Sequence, residues 1–139
     1  MSEVDLKKFF LEEVRLFENF SADKVDLIVA QSHLTTFEGN EAILETGDES
    51  KYMGVLVSGH AEISVTDKTG SRIVISQLDK GDVFGVMSTL TGDRIAADVI
   101  AGNRCFVLTI PQEVVHAHIL GNPKAVAYLS RVLTDVTRA

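Results

Sequence analysis

Leu78-Asp79-Lys80-Gly81-Asp82-Val83-Phe84-Gly85-Val86-Met87-Ser88-Thr89-Leu90-Thr91-Gly92-Asp93-Arg94-Ile95-Ala96-Ala97-Asp98-Val99 is the run on which the reading of the chain turns. Its short apolar pieces are interrupted by glycine, as at Lys80-Gly81. The same punctuation continues on both sides, at Gly39-Asn40, Gly47-Asp48, Ser58-Gly59, Thr69-Gly70 and Gly102-Asn103. Turn signals about every 8–12 residues, with β-prone runs between them, predict an all-β sandwich or barrel over residues 34–110. Asp67-Lys68-Thr69-Gly70, set between Ile63-Ser64-Val65 and Ile73-Val74-Ile75, reads as a hairpin.

The flanks have a different period. In residues 1–33, Leu6, Phe9, Phe10, Val14 and Phe17 recur at helical spacing, with Ser2 as the expected first cap and Asp5 at its third position. Ser21 is the expected cap of a second helix carrying Val25, Ile28 and Val29, with Phe20 placed to staple against its start. Residues 111–139 are expected to be helical again. Pro111 is expected at a first helical position, with Gly121 as C-terminal cap and Asn122-Pro123 restarting a last helix. Val126, Leu129, Leu133 and Val136 then form one aliphatic seam of coiled-coil type. One domain spanning 1–139 is expected from the length of 139 residues.

Composition excludes several functions. The net charge is −7, with 12 acids and 5 bases in residues 1–60 and 8 of each in the remainder. Phosphate backbones are bound by clustered Lys and Arg, and this chain has no such cluster, so neither nucleic acid nor a membrane surface is an expected partner. No apolar run approaches the length of a membrane span. The acidic start Met1-Ser2-Glu3-Val4-Asp5 does not read as a signal peptide. Cys105 is the single cysteine, so no internal disulfide forms, and a cytoplasmic location is the default expectation.

The run 78–99 resembles the phosphate-binding cassette of the cyclic-nucleotide-binding domains, the family of the catabolite activator protein, the regulatory subunits of protein kinase A and the gates of cyclic-nucleotide channels. The family pattern is a Leu, then Gly-Asp, an aromatic-Gly-Glu, a short helix and a nearby Arg-x-Ala. The flanks agree: Leu16-Phe17 before Ser21, Phe37-Glu38-Gly39-Asn40-Glu41-Ala42-Ile43, Gly47-Asp48, and Tyr52 followed by Ser58-Gly59. Asn40 stands where glycine is usual and tolerates the left-handed conformation. The resemblance covers roughly residues 14–134. It implies a mainly β fold with flanking helices, a β-roll (jelly roll) of about eight strands with N-terminal helices and a C-terminal helix. It also implies a ligand site at Ile63, Ile75, Leu78, Phe84, Gly85, Val86, Met87, Ser88, Arg94, Ile95 and Ala96.

In that family a cyclic phosphate is held by backbone N–H groups at the short helix and by one buried Arg, while the Glu takes the ribose hydroxyl. This chain departs from the pattern at both charged positions. Val86 stands at the Glu position. Counted without a gap from Phe84-Gly85, Ile95 stands at the Arg position, and a one-residue gap would bring Arg94 there instead. Each lost charged hydrogen bond typically costs about 1.5–3 kcal/mol, so weak or absent binding of cyclic AMP or cyclic GMP is expected.

Other chemistry finds little support. His116-Ala117-His118 has metal-pair spacing, but on a predicted helix positions i and i+2 point about 200° apart. Ser88 has no His or Asp partner in the motif for a nucleophile's role. Cys105 reads as a core strand residue. His33 and His60 are isolated. The expected function is a regulatory sensor and not an enzyme. A cyclic nucleotide or another anionic small molecule docks at residues 84–96, the last helix reports it to a separate effector, and no cofactor is assigned. The alternative is a ligand-free dimerisation or docking module with a decayed pocket. In either case a homodimer paired through the C-terminal helix is expected.

Overall fold

Local chemistry at Ser21 decides how the chain enters the fold. The computed structural model describes residues 3–138, with side-chain surroundings over residues 5–134. The expected Ser2 cap lies outside the described residues. Helix α1 (Glu3–Glu12) is followed by a 3₁₀ turn (Arg15–Asn19) and helix α2 (Ala22–Ala30). Ser21 is extended (φ −66°, ψ 158°) and its hydroxyl accepts the Lys24 N–H at 3.2 Å, so it caps α2 as expected. Phe9, Phe10 and Phe17 are buried and meet edge to face, with ring centres 5.6 and 6.2 Å apart.

Eight strands follow in two antiparallel sheets. Strands β1 (His33–Phe37), β8 (Cys105–Pro111), β3 (Tyr52–Ser58) and β6 (Val83–Phe84) lie side by side in that order. The second sheet runs β2 (Ala42–Leu44), β7 (Asp98–Ala101), β4 (Ala61–Thr66), β5 (Arg72–Leu78). The fold is the expected β-roll with flanking helices. The β4–β5 hairpin turns at Asp67, whose carboxylate accepts the Thr69 hydroxyl at 2.6 Å and the N–H groups of Thr69 and Ser71. Those bonds, the Thr69 hydroxyl first, hold the Asp67 carboxyl below its ordinary pKa. Asn40 has φ +70°, the left-handed conformation its position called for.

Period-two alternation on β3 and β8 builds two cores. Met53, Val55, Val57, Leu108 and Ile110 face the helices and pack with Phe17, Ile28 and Leu129. Leu56, Cys105 and Val107 face the other way, into a second cluster with Ile63, Phe84 and Val99. Both faces of these strands are covered, which explains their nearly unbroken apolar sequences. Burial pushes the Cys105 thiol pKa up, and the thiol donates to the His60 carbonyl at 3.3 Å, as suits a core residue.

The C-terminal region departs from expectation in detail. Pro111 closes β8 opposite Tyr52 and takes the cap position, not the first helical one. Helix α4 (Gln112–Val114) widens at once into a π turn (Val115–Ile119), which the Leu120 N–H closes onto the Val115 carbonyl at 3.1 Å. Gly121 does not adopt a left-handed conformation, so it is not the expected cap. Helix α5 (Pro123–Arg138) starts as expected: Asn122 Oδ1 accepts the N–H groups of Lys124 and Ala125 at 3.0 and 3.1 Å. The expected seam is divided. Ala125, Tyr128 and Leu129 are buried against the roll, Leu133 is half-buried, and Val126 is exposed. The Val136 side chain lies outside the described residues. Of the expected seam, Leu129 is therefore used inside the molecule and Leu133 in part.

Gly54 faces Phe84 across the β3–β6 pair, and a Cβ placed there would enter the Phe84 ring. Gly54→Ala should cost about 1–3 kcal/mol and lower the melting temperature by several degrees, measured by thermal denaturation. An unchanged melting temperature would mean that β3 and β6 do not pair in this register.

Candidate functional site

The site is built by a strand, a glycine and a short helix. After β5, Gly81 N–H donates to the Leu56 carbonyl at 2.7 Å and Leu56 N–H to the Asp82 carbonyl at 2.9 Å, which sets Val83–Phe84 beside β3. Gly85 has φ +70°, and a Cβ there would lie 3.2 Å from the Tyr52 carbonyl oxygen. A side chain at this position would be strained in backbone and space alike. Helix α3 (Val86–Thr91) starts from it and ends at Gly92, also left-handed, whose N–H returns to the Ser88 carbonyl at 2.8 Å.

Hydrogen bonds hold α3 on three sides. The buried Thr89 hydroxyl lies 2.7 Å from the Gly85 carbonyl oxygen and 2.9 Å from that of Tyr52. Its one hydrogen serves one of these acceptors at a time. Ser88 Oγ donates to the Gly85 carbonyl at 3.3 Å. The Thr89 carbonyl accepts Gln112 Nε2 at 3.1 Å and lies 3.3 Å from His116 Nε2, which links α3 to the α4 turn. The Tyr52 phenol bonds the Ile43 carbonyl at 3.1 Å, and burial raises its pKa, keeping it a donor.

The loop after α3 fixes which side chain faces inward. Ile95 N–H donates to the Asp48 carbonyl at 2.9 Å, and Gly47 N–H donates to the Ile95 carbonyl at 2.8 Å. In this register Ile95 is buried in the inter-sheet core. Arg94 points to the rim, where Nη1 donates to the Gly47 carbonyl at 2.9 Å and Nη2 lies 3.3 Å from Glu49. Its side chain is 66% exposed, so this surface pair adds little stability.

A small cleft opens between these parts, about 130 Å³, below the usual range for drug-sized ligands. Phe84, Val86 and Ile95 form buried wall; Met87, Arg94 and Ala96 are exposed parts of it; Ile63, Gly85 and Ser88 complete the expected set that lines it. Ile75 and Leu78 do not line it. Leu78 is buried in the inter-sheet core, and Ile75 is half-buried against that core. Sequence reading missed Leu44, Val83, Ala97, Val99, Val132 and Leu133, which also line it. Val83, Ala97 and Val99 stand inside the quoted run 78–99 and were legible there. Val132 and Leu133 were not, because only the folded position of α5 brings them there.

The other candidates separate. His116 meets the Thr89 carbonyl, while His118 Nδ1 lies 3.0 Å from Lys24 Nζ on α2, so the two imidazoles face different elements. Among the described residues, no three His, Cys, Asp or Glu side chains group as metal ligands. His60 Nδ1 is 3.0 Å from Asp79 at the surface. Among the described residues, no helix is long and apolar enough to cross a membrane.

The model of the family described as "Cyclic nucleotide-binding domain" matches residues 34–121, which contain the whole cleft apart from its α5 residues. Among curated proteins, the cAMP-dependent protein kinase regulatory subunit of Mycosarcoma maydis is 34% identical over 92 residues, 66% of this chain and 17% of that protein. The global nitrogen regulator of Nostoc sp. (strain PCC 7120 / SAG 25.82 / UTEX 2576) is 30% identical over 102 residues, 72% of this chain and 46% of that one. This chain thus spans less than half the length of either relative. Among solved structures, the regulatory subunit of a cAMP-independent protein kinase A from Trypanosoma cruzi, bound to guanosine, superposes with a TM-score of 0.78 at 19% identity, over 92% of this chain and 46% of that one. At that identity it supports the fold alone. With the family match extending over most of the roll and the cassette helix in place, this chain belongs to the cyclic nucleotide-binding domain family, a family of regulatory domains.

Proposed function

We propose that this domain is a sensor whose cleft takes a small molecule other than cyclic AMP or cyclic GMP, and whose helix α5 reports occupancy to a separate effector. The observation that carries this reading is the pair of buried apolar side chains, Val86 and Ile95, where the family resemblance calls for Glu and Arg. Arg94 does not replace the missing cation, because its guanidinium is turned to the Gly47 carbonyl and Glu49. The Trypanosoma cruzi relative, titled cAMP-independent and bound to guanosine, offers a precedent for this fold with another ligand.

Reporting follows from the walls. Val132 and Leu133 of α5 line the same cleft as α3. A ligand that favours one position of α5 over another shifts the population between them. We assign the domain no catalytic role and place it in the cytoplasm. An acidic chain without a basic cluster is expected to give no shift with DNA at physiological salt. The second reading, a ligand-free interaction module, is favoured by the same two α5 residues, since they already cover part of the cleft.

Melting curves with and without millimolar cyclic AMP test the reading. A ligand at 100 times its Kd stabilises by about 2.7 kcal/mol. The wild type should not shift, and Val86→Glu/Ile95→Arg, though less stable alone, should gain several degrees with cyclic AMP. A clear rise for the wild type refutes the proposal.

Pairing of two copies belongs to this proposal, on the outer side of α5 where Val126 is 37% exposed. Light scattering at high micromolar concentration should give a dimer that Val126→Glu converts to monomer. A monomeric wild type removes pairing from the account. Leu129→Glu cannot serve as the test, because Leu129 is 1% exposed in the core.

A further inference from the structure

The charge of the ligand can be read from what the cleft lacks. Among the described residues, Arg94 is its one charged lining residue, and both ends of the Arg94 guanidinium are engaged at the rim. Glu49 lies beside Arg94, and Asp48 and Asp93, both exposed, are chain neighbours of these two, so the local balance is acidic. Inside, Val86 and Ile95 are buried and, among the described residues, no carboxylate lines the walls. The Ser88 hydroxyl, the remaining polar side chain of the lining, is buried and turned back to the Gly85 carbonyl.

An anion entering this space loses its hydration, and among the described side chains its one countercharge is Arg94, held at the rim; inside, only the N–H end of the short α3 faces it. Before it enters, it meets acidic groups at the mouth. A cation meets those acids at the rim, but past them it is desolvated against aliphatic walls with no carboxylate to pair with. Apolar surface meets neither penalty, and burying it against Val86, Ile95, Val132 and Leu133 is favourable.

We infer that the cleft takes an uncharged, predominantly apolar small molecule, in contrast to the anionic ligand that the family motif implies. This inference rests on the reading of the cleft as a small-molecule site.

Two probes that share a ring and differ in charge test it: indole, and indole-3-acetate with its carboxylate. Methyl NMR titrations are recorded on the full chain. Indole should produce saturable shifts centred on Val86, Ile95, Val132 and Leu133, and indole-3-acetate should bind more weakly by about ten-fold or more. Ala96 is an exposed part of the wall, so Ala96→Arg adds a cation without disturbing the core. That variant should strengthen indole-3-acetate by about ten-fold while leaving indole nearly unchanged. If indole-3-acetate binds the wild type as tightly as indole, or if Ala96→Arg leaves the ratio unchanged, the charge inference fails while the cleft stands as a site. If neither ring moves these methyls, the small-molecule reading fails with it.

Discussion

Two backbone hydrogen bonds, Ile95 N–H to Asp48 and Gly47 N–H to Ile95, set the chemistry of the cleft. They fix the register of the loop between α3 and β7, and a one-residue change of register exchanges the inward and outward side chains. With these bonds in place Ile95 enters the core and Arg94 reaches solvent. The opposite register would put a guanidinium beside α3 and restore an anion site. The chemistry of the cleft therefore hangs on main-chain geometry as much as on residue identity.

The cleft is inseparable from the fold around it. Phe84 can occupy the space beside β3 because residue 54 there is glycine, and its placement brings Gly85 to the turn that launches α3. The Thr89 hydroxyl ties that helix to β3, and Gln112 of α4 and His116 of the π turn meet the Thr89 carbonyl. Movement of α3 is thus linked to the segment that leads into α5. The α3 wall of the cleft and the C-terminal helix share this short path, and Val132 and Leu133 line the same cleft.

Features governed by local chemistry were legible in the sequence. The Ser21 cap, the Asp67 hairpin and the Asn122 start of α5 each depend on a side chain bonding its own neighbourhood, and Asn40 on a residue type that tolerates positive φ. The strands were legible from their turns, and the cassette from its ordered glycines. Features set by distant partners were not. The α5 periodicity showed an apolar face but not what covers it, and the roll takes Ala125, Tyr128 and Leu129. Pro111 has the right backbone for a first helical turn, yet pairing with Tyr52 keeps it at the end of β8. The choice between Arg94 and Ile95 depended on the loop 47–48, nearly fifty residues earlier in the chain.

The register at residues 94–95 is also the most direct point of test. Nuclear Overhauser contacts of the Ile95 methyl groups report where that side chain lies. The account predicts strong contacts from Ile95 to the core side chains of Leu44, Phe84 and Val99, with none from the Arg94 side chain. Contacts from the Arg94 methylenes into that core, with Ile95 methyls free in solvent, would contradict it.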